Sequence, residues 1–139
     1  MLEIGICGHK ELTVTMEKTA MALGSGGLPV FATPALIAMA ERTARESVAM
    51  ELSEGQSTVG IKVEISHLSA TPVGLLVWCK TKLEEIDRRR LVFSVEVYDE
   101  FGKVAEGRHE RFIIDDVKFM KKAYEKINEK INEKSTADL

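Results

Sequence analysis

The chain has 139 residues, 45% of them hydrophobic and 29% charged, with a formal net charge of −3. These values indicate a folded chain of one domain, residues 1–139, and exclude a disordered polypeptide. The slightly acidic balance gives no basic field for nucleic acid or an anionic membrane, so neither is expected as a partner. The sequence shows no long apolar run and no leader pattern at its start, which predicts a cytoplasmic protein.

The two cysteines, Cys7 and Cys79, are too few for a disulfide framework or a zinc site. We expect both to be reduced and in or near the core. We also expect no metal or other cofactor.

The first predicted strand covers residues 11–17, where Leu12, Val14 and Met16 alternate with two threonines. Residues 23–29 follow with three glycines, a serine and a proline, a composition that predicts a mobile loop.

A buried helix is predicted next. Thr33 is a suitable N-cap, and Pro34 suits the first helical position because that position needs no N–H. The helix is expected to run to about Leu52, and Gly55 can then take the positive φ that ends it.

The apolar period then changes from 3.6 to 2, which predicts four strands within residues 59–66, 75–83, 91–97 and 104–114. The short turns between them predict an antiparallel meander. One helix across such a sheet gives the α+β class. The sheet would keep exposed edges, and a domain of this kind usually covers them by dimerising.

The C-terminal residues, about 115–134, are predicted to form an amphipathic helix. Its apolar residues lie three and four apart, which favours docking on the sheet or on a partner subunit. They are Val117, Met120, Tyr124, Ile127 and Ile131.

Glu41 falls on an apolar face of the buried helix, in line with Ile37, Ala44 and Val48. An unpaired buried carboxylate would cost several kcal/mol, so it must be paired, solvated in a cleft or protonated. Two interpretations follow. Glu41 either reaches a neighbouring arginine or solvent at the edge of the face, or it serves chemistry in a cleft.

His67 continues the alternation of the first strand after the helix, so it should face that helix. The residues in phase with it are Val59, Ile61, Val63 and Ile65. His67 is either a core histidine bonded to a carbonyl or, with Glu41, half of an acid–base pair.

Thr33 is the third candidate, with helix capping as its alternative role. Eight helical residues separate it from Glu41, or about 12 Å at 1.5 Å per residue. The two can serve one site only across a dimer interface or through a substrate of that length. On the last strand, His109 and Arg111 share one face, which is either solvated or near an interface.

Three segments, "VFATPALIAMAE", "GIKVEISHLSATPVG" and "GRHER", resemble the hot-dog-fold thioesterases of the fluoroacetyl-CoA thioesterase type. The resemblance covers about residues 10–120. It implies a sheet wrapped around a central helix, a homodimer with sites at the subunit interface, and hydrolysis of an acyl-CoA substrate.

The same resemblance implies that Thr33, Glu41 and His67 are catalytic, and that Gly60 and Arg111 contact the substrate. Glu41 would act as general base or nucleophile, His67 as general acid–base, and Thr33 as a positioning or nucleophilic hydroxyl.

One segment departs from the family pattern. Gly24 and Gly27 stand where aromatic lid residues are expected before the threonine. We therefore expect a short or medium acyl chain other than fluoroacetate. The alternatives are a non-catalytic acyl-CoA-binding or sensor module and a hydroxyacyl-thioester dehydratase.

Overall fold

The computed structural model describes residues 1–137 and consists of one antiparallel sheet, one long packed helix and a C-terminal helix. Its elements are β1 (Cys7–Thr13), a 3-10 turn (Met16–Lys18), α1 (Ala20–Leu23), α2 (Thr33–Ala49), β2 (Gln56–His67), β3 (Leu76–Asp87), β4 (Arg90–Asp99), β5 (Gly102–Asp115) and α3 (Asp116–Ala137). This arrangement confirms the α+β class and the central helix.

The strands lie in the order β1-β3-β4-β5-β2, so the predicted meander is only partly correct. β3, β4 and β5 do follow one another through short turns. β2, however, pairs with β5 at the far edge, and residues 68–75 cross the sheet to reach β3. Three strand spacings of about 4.8 Å need only about 14 Å, which an eight-residue connection spans without difficulty.

The first strand lies earlier than predicted, at Cys7–Thr13 instead of residues 11–17. It pairs antiparallel with β3, and the chain leaves the sheet at the turn Met16–Lys18. The sequence of this edge strand, CGHKELT, is mostly polar, so it carries no apolar alternation from which a strand could be predicted. Gly8 lets α2 approach closely, since a Cβ there would lie 2.8 Å from the carbonyl oxygen of Thr43.

Helix α2 provides the centre of the core and contacts β1, β2, β3 and β5. The helix and the inner face of the sheet share fully buried apolar side chains, which are Leu36, Ala44, Val48, Val77, Cys79, Leu83, Leu91, Phe93 and Val97. Burial raises the pKa of the Cys79 thiol to about 11, so this cysteine stays protonated, as expected of a reduced core residue. Cys7 is exposed at the start of β1, contrary to the prediction.

Helix α2 ends at Ala49, three residues before the predicted end, and Gly55 takes the predicted positive φ of 82°. Its N-cap is Ala32, which has no side-chain oxygen to cap with. Thr33 is the first helical residue instead of the cap, so its hydroxyl is left for another partner.

Strand β2 contains a bulge between Gly60 and Lys62, where its register with β5 shifts by one residue. The bulge reverses the alternation, so Ile61 is half-exposed instead of facing α2. His67 still faces α2, in phase with Val63 and Ile65 but not with the residues before the bulge.

Helix α3 begins one residue later than predicted. It contacts the rest of the domain mainly through β5. Its predicted apolar residues are exposed, including Tyr124, Ile127 and Ile131. Among the residues that the structure describes, no helix is long and apolar enough to cross a membrane.

Candidate active site

Thr33 and His67 form a direct pair. The Thr33 hydroxyl lies 2.8 Å from Nδ1 of His67. The pair forms because Thr33 opens α2 while His67 ends β2, the edge strand beside it. The hydroxyl that was predicted to cap the helix is therefore turned to the imidazole.

His67 is held as a neutral base. Desolvation by burial lowers the pKa of its imidazole, partly offset by a backbone hydrogen bond with Ser69. Nε2 of the ring is buried and has no hydrogen-bond partner within residues 1–137. A neutral imidazole beside a hydroxyl can take up its proton.

A pocket of about 370 Å³ opens on this pair. Its walls come from α1, the glycine-rich loop, the start of α2 and the chain after β2. They are lined by Ala20, Ser25, Val30, Phe31, Thr33, His67, Leu68, Ser69 and Ala70. A larger depression of about 810 Å³ lies along β2, β4 and β5 and is lined by none of the five predicted site residues.

Glu41 and Arg111 form a second pair. Nη1 of Arg111 lies 3.7 Å from Oε2 of Glu41, and their side chains are 6% and 42% exposed. Glu41 is thus neither buried alone nor paired to a neighbour on its own helix. It sits at the edge of the apolar face and reaches across to β5.

Gly60 lies against the Glu41 carboxylate. A Cβ at this position would be 2.6 Å from Oε2 of Glu41 and 3.5 Å from Nη1 of Arg111. Only a residue without a side chain leaves the carboxylate its place, because the van der Waals contact would otherwise be violated.

Arg111 is buried and held at several of its nitrogens. Nε donates to Oγ1 of Thr58 at 2.8 Å, and Nη2 donates to the Thr58 carbonyl at 2.8 Å. Nη1 lies 3.1 Å from Nε2 of His109, which is fully buried. Burial lowers the pKa of Arg111, while the Glu41 charge opposes this effect.

The five predicted site residues therefore fall into two groups on α2 and its neighbours. Thr33 and His67 are together at one end of the helix, while Glu41, Gly60 and Arg111 are together about two turns further on. The helical rise keeps Thr33 and Glu41 about 12 Å apart along the axis.

Sequence reasoning missed the roles of Thr58 and His109. His109 was singled out only as a neighbour of Arg111, with no partner assigned. Its position two residues before Arg111 on one strand face was the available signal, but its partner, the Lys62 carbonyl, lies at the bulge in β2, which the sequence does not indicate.

A family model described as fluoroacetyl-CoA-specific thioesterase matches residues 14–117. The fluoroacetyl-CoA thioesterase of Streptantibioticus cattleyicolor is 32% identical over 97 residues, which are 70% of each chain.

Solved structures agree in fold. A structure of the fluoroacetyl-CoA thioesterase FlK superposes with a TM-score of 0.86 at 27% identity, covering 91% of this chain and 98% of the other. A thioesterase superfamily member from Thermus thermophilus gives 0.84 at 27% identity, with 94% and 96% covered. A hot-dog-like protein from Thermanaerovibrio acidaminovorans, at 24% identity, gives 0.82 and shares the fold, with 88% and 91% covered. The chain therefore belongs to the family of fluoroacetyl-CoA-specific thioesterases and is a thioester hydrolase with the hot-dog fold.

Proposed function

We propose that the protein hydrolyses acyl-CoA thioesters with a short or medium acyl chain, releasing a carboxylic acid and coenzyme A. The observation that carries this proposal is the Thr33–His67 hydrogen bond on the wall of the 370 Å³ pocket. The relatives are fluoroacetyl-CoA thioesterases, which supports the choice of an acyl-CoA substrate. The same proposal includes a cytoplasmic location.

The reaction needs a group to attack the thioester carbonyl and a proton for the leaving thiolate. We assign the attack to Glu41, either directly or through a water that it deprotonates. If Glu41 deprotonates a water, the water oxygen forms the new C–O bond. If Glu41 attacks directly, its own oxygen forms that bond, and water then hydrolyses the resulting mixed anhydride and restores the carboxylate. On both routes the C–S bond breaks and the departing sulfur takes a proton. His67 is suited to move this proton because its neutral ring already bonds the Thr33 hydroxyl.

The composition of the pocket supports an acyl group other than fluoroacetate. Its loop side contributes Ser25. Gly24 and Gly27 stand where the aromatic lid residues of the family are expected, so within residues 1–137 Phe31 is the one aromatic residue of the lining besides His67. An open loop of this kind accommodates acyl chains of different lengths.

We propose that the working form is a homodimer joined through β2. This twelve-residue strand lies at the edge of the sheet, with β5 on its other side. An edge strand presents unpaired N–H and C=O groups that can pair with another chain. A two-fold axis between Val63 and Glu64 would set His67 opposite Gly60 of the partner subunit in an antiparallel pair. Such pairing would bring the two separated groups of site residues together.

The test is a thiol-release assay over acyl-CoAs of increasing chain length, with Glu41→Gln as the variant. This substitution keeps the size of the side chain and removes the carboxylate. Turnover should fall by about 100-fold or more, because a base or nucleophile is lost. Glu46→Gln is the matched control, since Glu46 lies on the same helix and pairs on the surface with Lys10 at 2.5 Å.

Each alternative has its own result. Saturable binding of acyl-CoA without any thiol release would indicate a sensor module. Conversion of a hydroxyacyl-CoA to an unsaturated thioester would indicate a dehydratase. Equal turnover by the folded Glu41→Gln and Glu46→Gln proteins would remove Glu41 from the reaction.

A further inference from the structure

His109 is a buried titratable side chain that the proposed chemistry does not use. It projects from β5 to the inner face of the sheet, is fully buried, and stacks beside Phe93 with ring centroids 6.5 Å apart. A buried imidazole must satisfy both of its nitrogens, so the partners of each define its state.

The hydrogen-bonding partners of the two ring nitrogens determine which nitrogen of His109 carries the proton. Nδ1 lies 2.9 Å from the carbonyl oxygen of Lys62, and a carbonyl can only accept. Nε2 lies 3.1 Å from Nη1 of Arg111, and a guanidinium can only donate. Nδ1 therefore carries the proton and Nε2 presents its lone pair. The ring is the neutral Nδ1–H tautomer.

The Lys62 carbonyl belongs to the bulge of β2, so His109 joins that bulge to Arg111. The same bulge contains Gly60, which lies against the Glu41 carboxylate. One ring thus connects the two elements that face Glu41.

The orientation of the Arg111 guanidinium depends on this ring. Thr58 holds Nε and Nη2 on one side through its hydroxyl and its carbonyl. Nη1, the nitrogen that faces Glu41 at 3.7 Å, is hydrogen-bonded within residues 1–137 to His109 alone.

We propose that His109 is a positioning residue: its neutral Nδ1–H tautomer holds Nη1 of Arg111 toward the Glu41 carboxylate and anchors the β2 bulge beside it. This role rests on the proposed hydrolysis for its effect on rate, but the hydrogen-bond arrangement can be measured without any turnover.

Substitution of His109 by each of the two amide residues tests the hydrogen bonds of its two ring nitrogens separately. In His109→Gln the terminal amide reaches the Nε2 position, so an acceptor for Arg111 is retained and the donor to Lys62 is lost. In His109→Asn the amide sits at the Nδ1 position, so the donor to Lys62 is retained and the acceptor for Arg111 is lost. Each variant loses one buried hydrogen bond, which makes them matched controls for stability.

We expect kcat of His109→Asn to fall about tenfold with KM within about twofold, and His109→Gln to retain most of kcat, because only the glutamine still positions Arg111. The Arg111 guanidinium N–H signals in ¹⁵N NMR spectra should be protected in the wild type and in His109→Gln, and lost in His109→Asn. A purely structural role would lower the melting temperature of both variants alike and leave kcat equal in the two. That result would overturn the proposal.

The wild-type protein gives a further test that needs no variant to fold. Its ¹⁵N spectrum should show His109 as the Nδ1–H tautomer, and an Nε2–H tautomer or a protonated ring at neutral pH would contradict the proposal. If the wild type hydrolyses no acyl-CoA, the proposed function fails. The tautomer and the arginine signals would still decide the positioning role.

Discussion

At the scale of single residues, Gly60 sets the position of the Glu41 carboxylate. We predict that Gly60→Ala folds but loses about tenfold or more in kcat, because small displacements of a reacting group are costly. The new Cβ would meet the flexible end of the Glu41 side chain at 2.6 Å, which can move aside, and would lie 3.3 Å from Cε1 of His109, which needs a shift of only a few tenths of an ångström. The change in unfolding free energy should therefore stay near 1 kcal/mol, as roughly the average for a substitution. Thiol release and thermal unfolding measure the two effects.

The control for Gly60→Ala is the double variant with Glu41→Gln. If alanine acts by displacing the carboxylate, it should add little once the carboxylate is gone, since effects on one group are not additive. Two independent losses that multiply would show that Gly60 acts by another route, such as direct contact with the substrate.

The two site histidines should make stability depend on pH. Desolvation lowers the pKa of both His67 and His109. For His109 the hydrogen bond to the Lys62 backbone opposes this effect, the Arg111 charge adds to it, and the charges of Glu41 and Glu110 oppose it. The unfolded chain therefore binds protons first, at its ordinary pKa of about 6.5. The neutral histidines contribute fully to the free energy of unfolding above that pH. This contribution is lost as the pH falls toward the pKa values of the folded state.

We predict that the free energy of unfolding decreases between about pH 7 and pH 5, with a slope of at most about 1.4 kcal/mol per pH unit for each histidine. Urea titrations across this range measure it. His109→Gln should show a shallower loss than the wild type. Two glutamates with lowered pKa, the exposed Glu46 and the half-buried Glu110, act in the same direction but at lower pH. An unchanged pH slope in His109→Gln would mean that His109 does not titrate differently on unfolding.

At the scale of elements, local patterns in the sequence predicted helix α2 and strands β2 to β5 because each carries a continuous apolar period. They could not predict the bulge at Gly60 to Lys62, since a bulge is set by pairing with β5 and not by the strand's own residues. His67 was correctly assigned to the inner face although the assumed phase at Ile61 was wrong.

The contacts within the site also depend on residues that are far apart in sequence, which local patterns do not predict. Thr33 before Pro34 has the local sequence of a helix cap, and only the position of β2 reveals that its hydroxyl faces His67. The Glu41 partner was sought on its own helix, yet Arg111 is seventy residues away in sequence and reaches it because β5 lies beside β2. The order of the strands, which short turns do not specify, decides both contacts.

At the scale of the whole molecule, each protomer separates Thr33 and His67 from Glu41, Gly60 and Arg111 by about 12 Å along α2. A dimer through the β2 edge would combine the first group of one chain with the second group of the other. Inactive variants with damage in different groups should then complement each other.

We predict that mixing Thr33→Ala with Glu41→Gln under conditions of subunit exchange restores activity to roughly a quarter of the wild type. About half of the dimers are mixed, and each mixed dimer holds one intact and one doubly damaged site, as expected of an isologous two-fold interface. Light scattering checks the dimer, and mass spectrometry with one isotope-labelled variant confirms that subunits have exchanged.

A second mixture, Thr33→Ala with His67→Ala, provides the decisive comparison. These two residues are hydrogen-bonded within one chain at 2.8 Å, so both substitutions damage the same group and neither subunit can complete a site. This mixture should stay inactive while the first recovers. Recovery in both mixtures would mean that Thr33 and His67 serve different sites despite their contact. Recovery in neither, with exchange demonstrated, would place Thr33 and Glu41 in one site of one chain, bridged by a substrate that spans the helix.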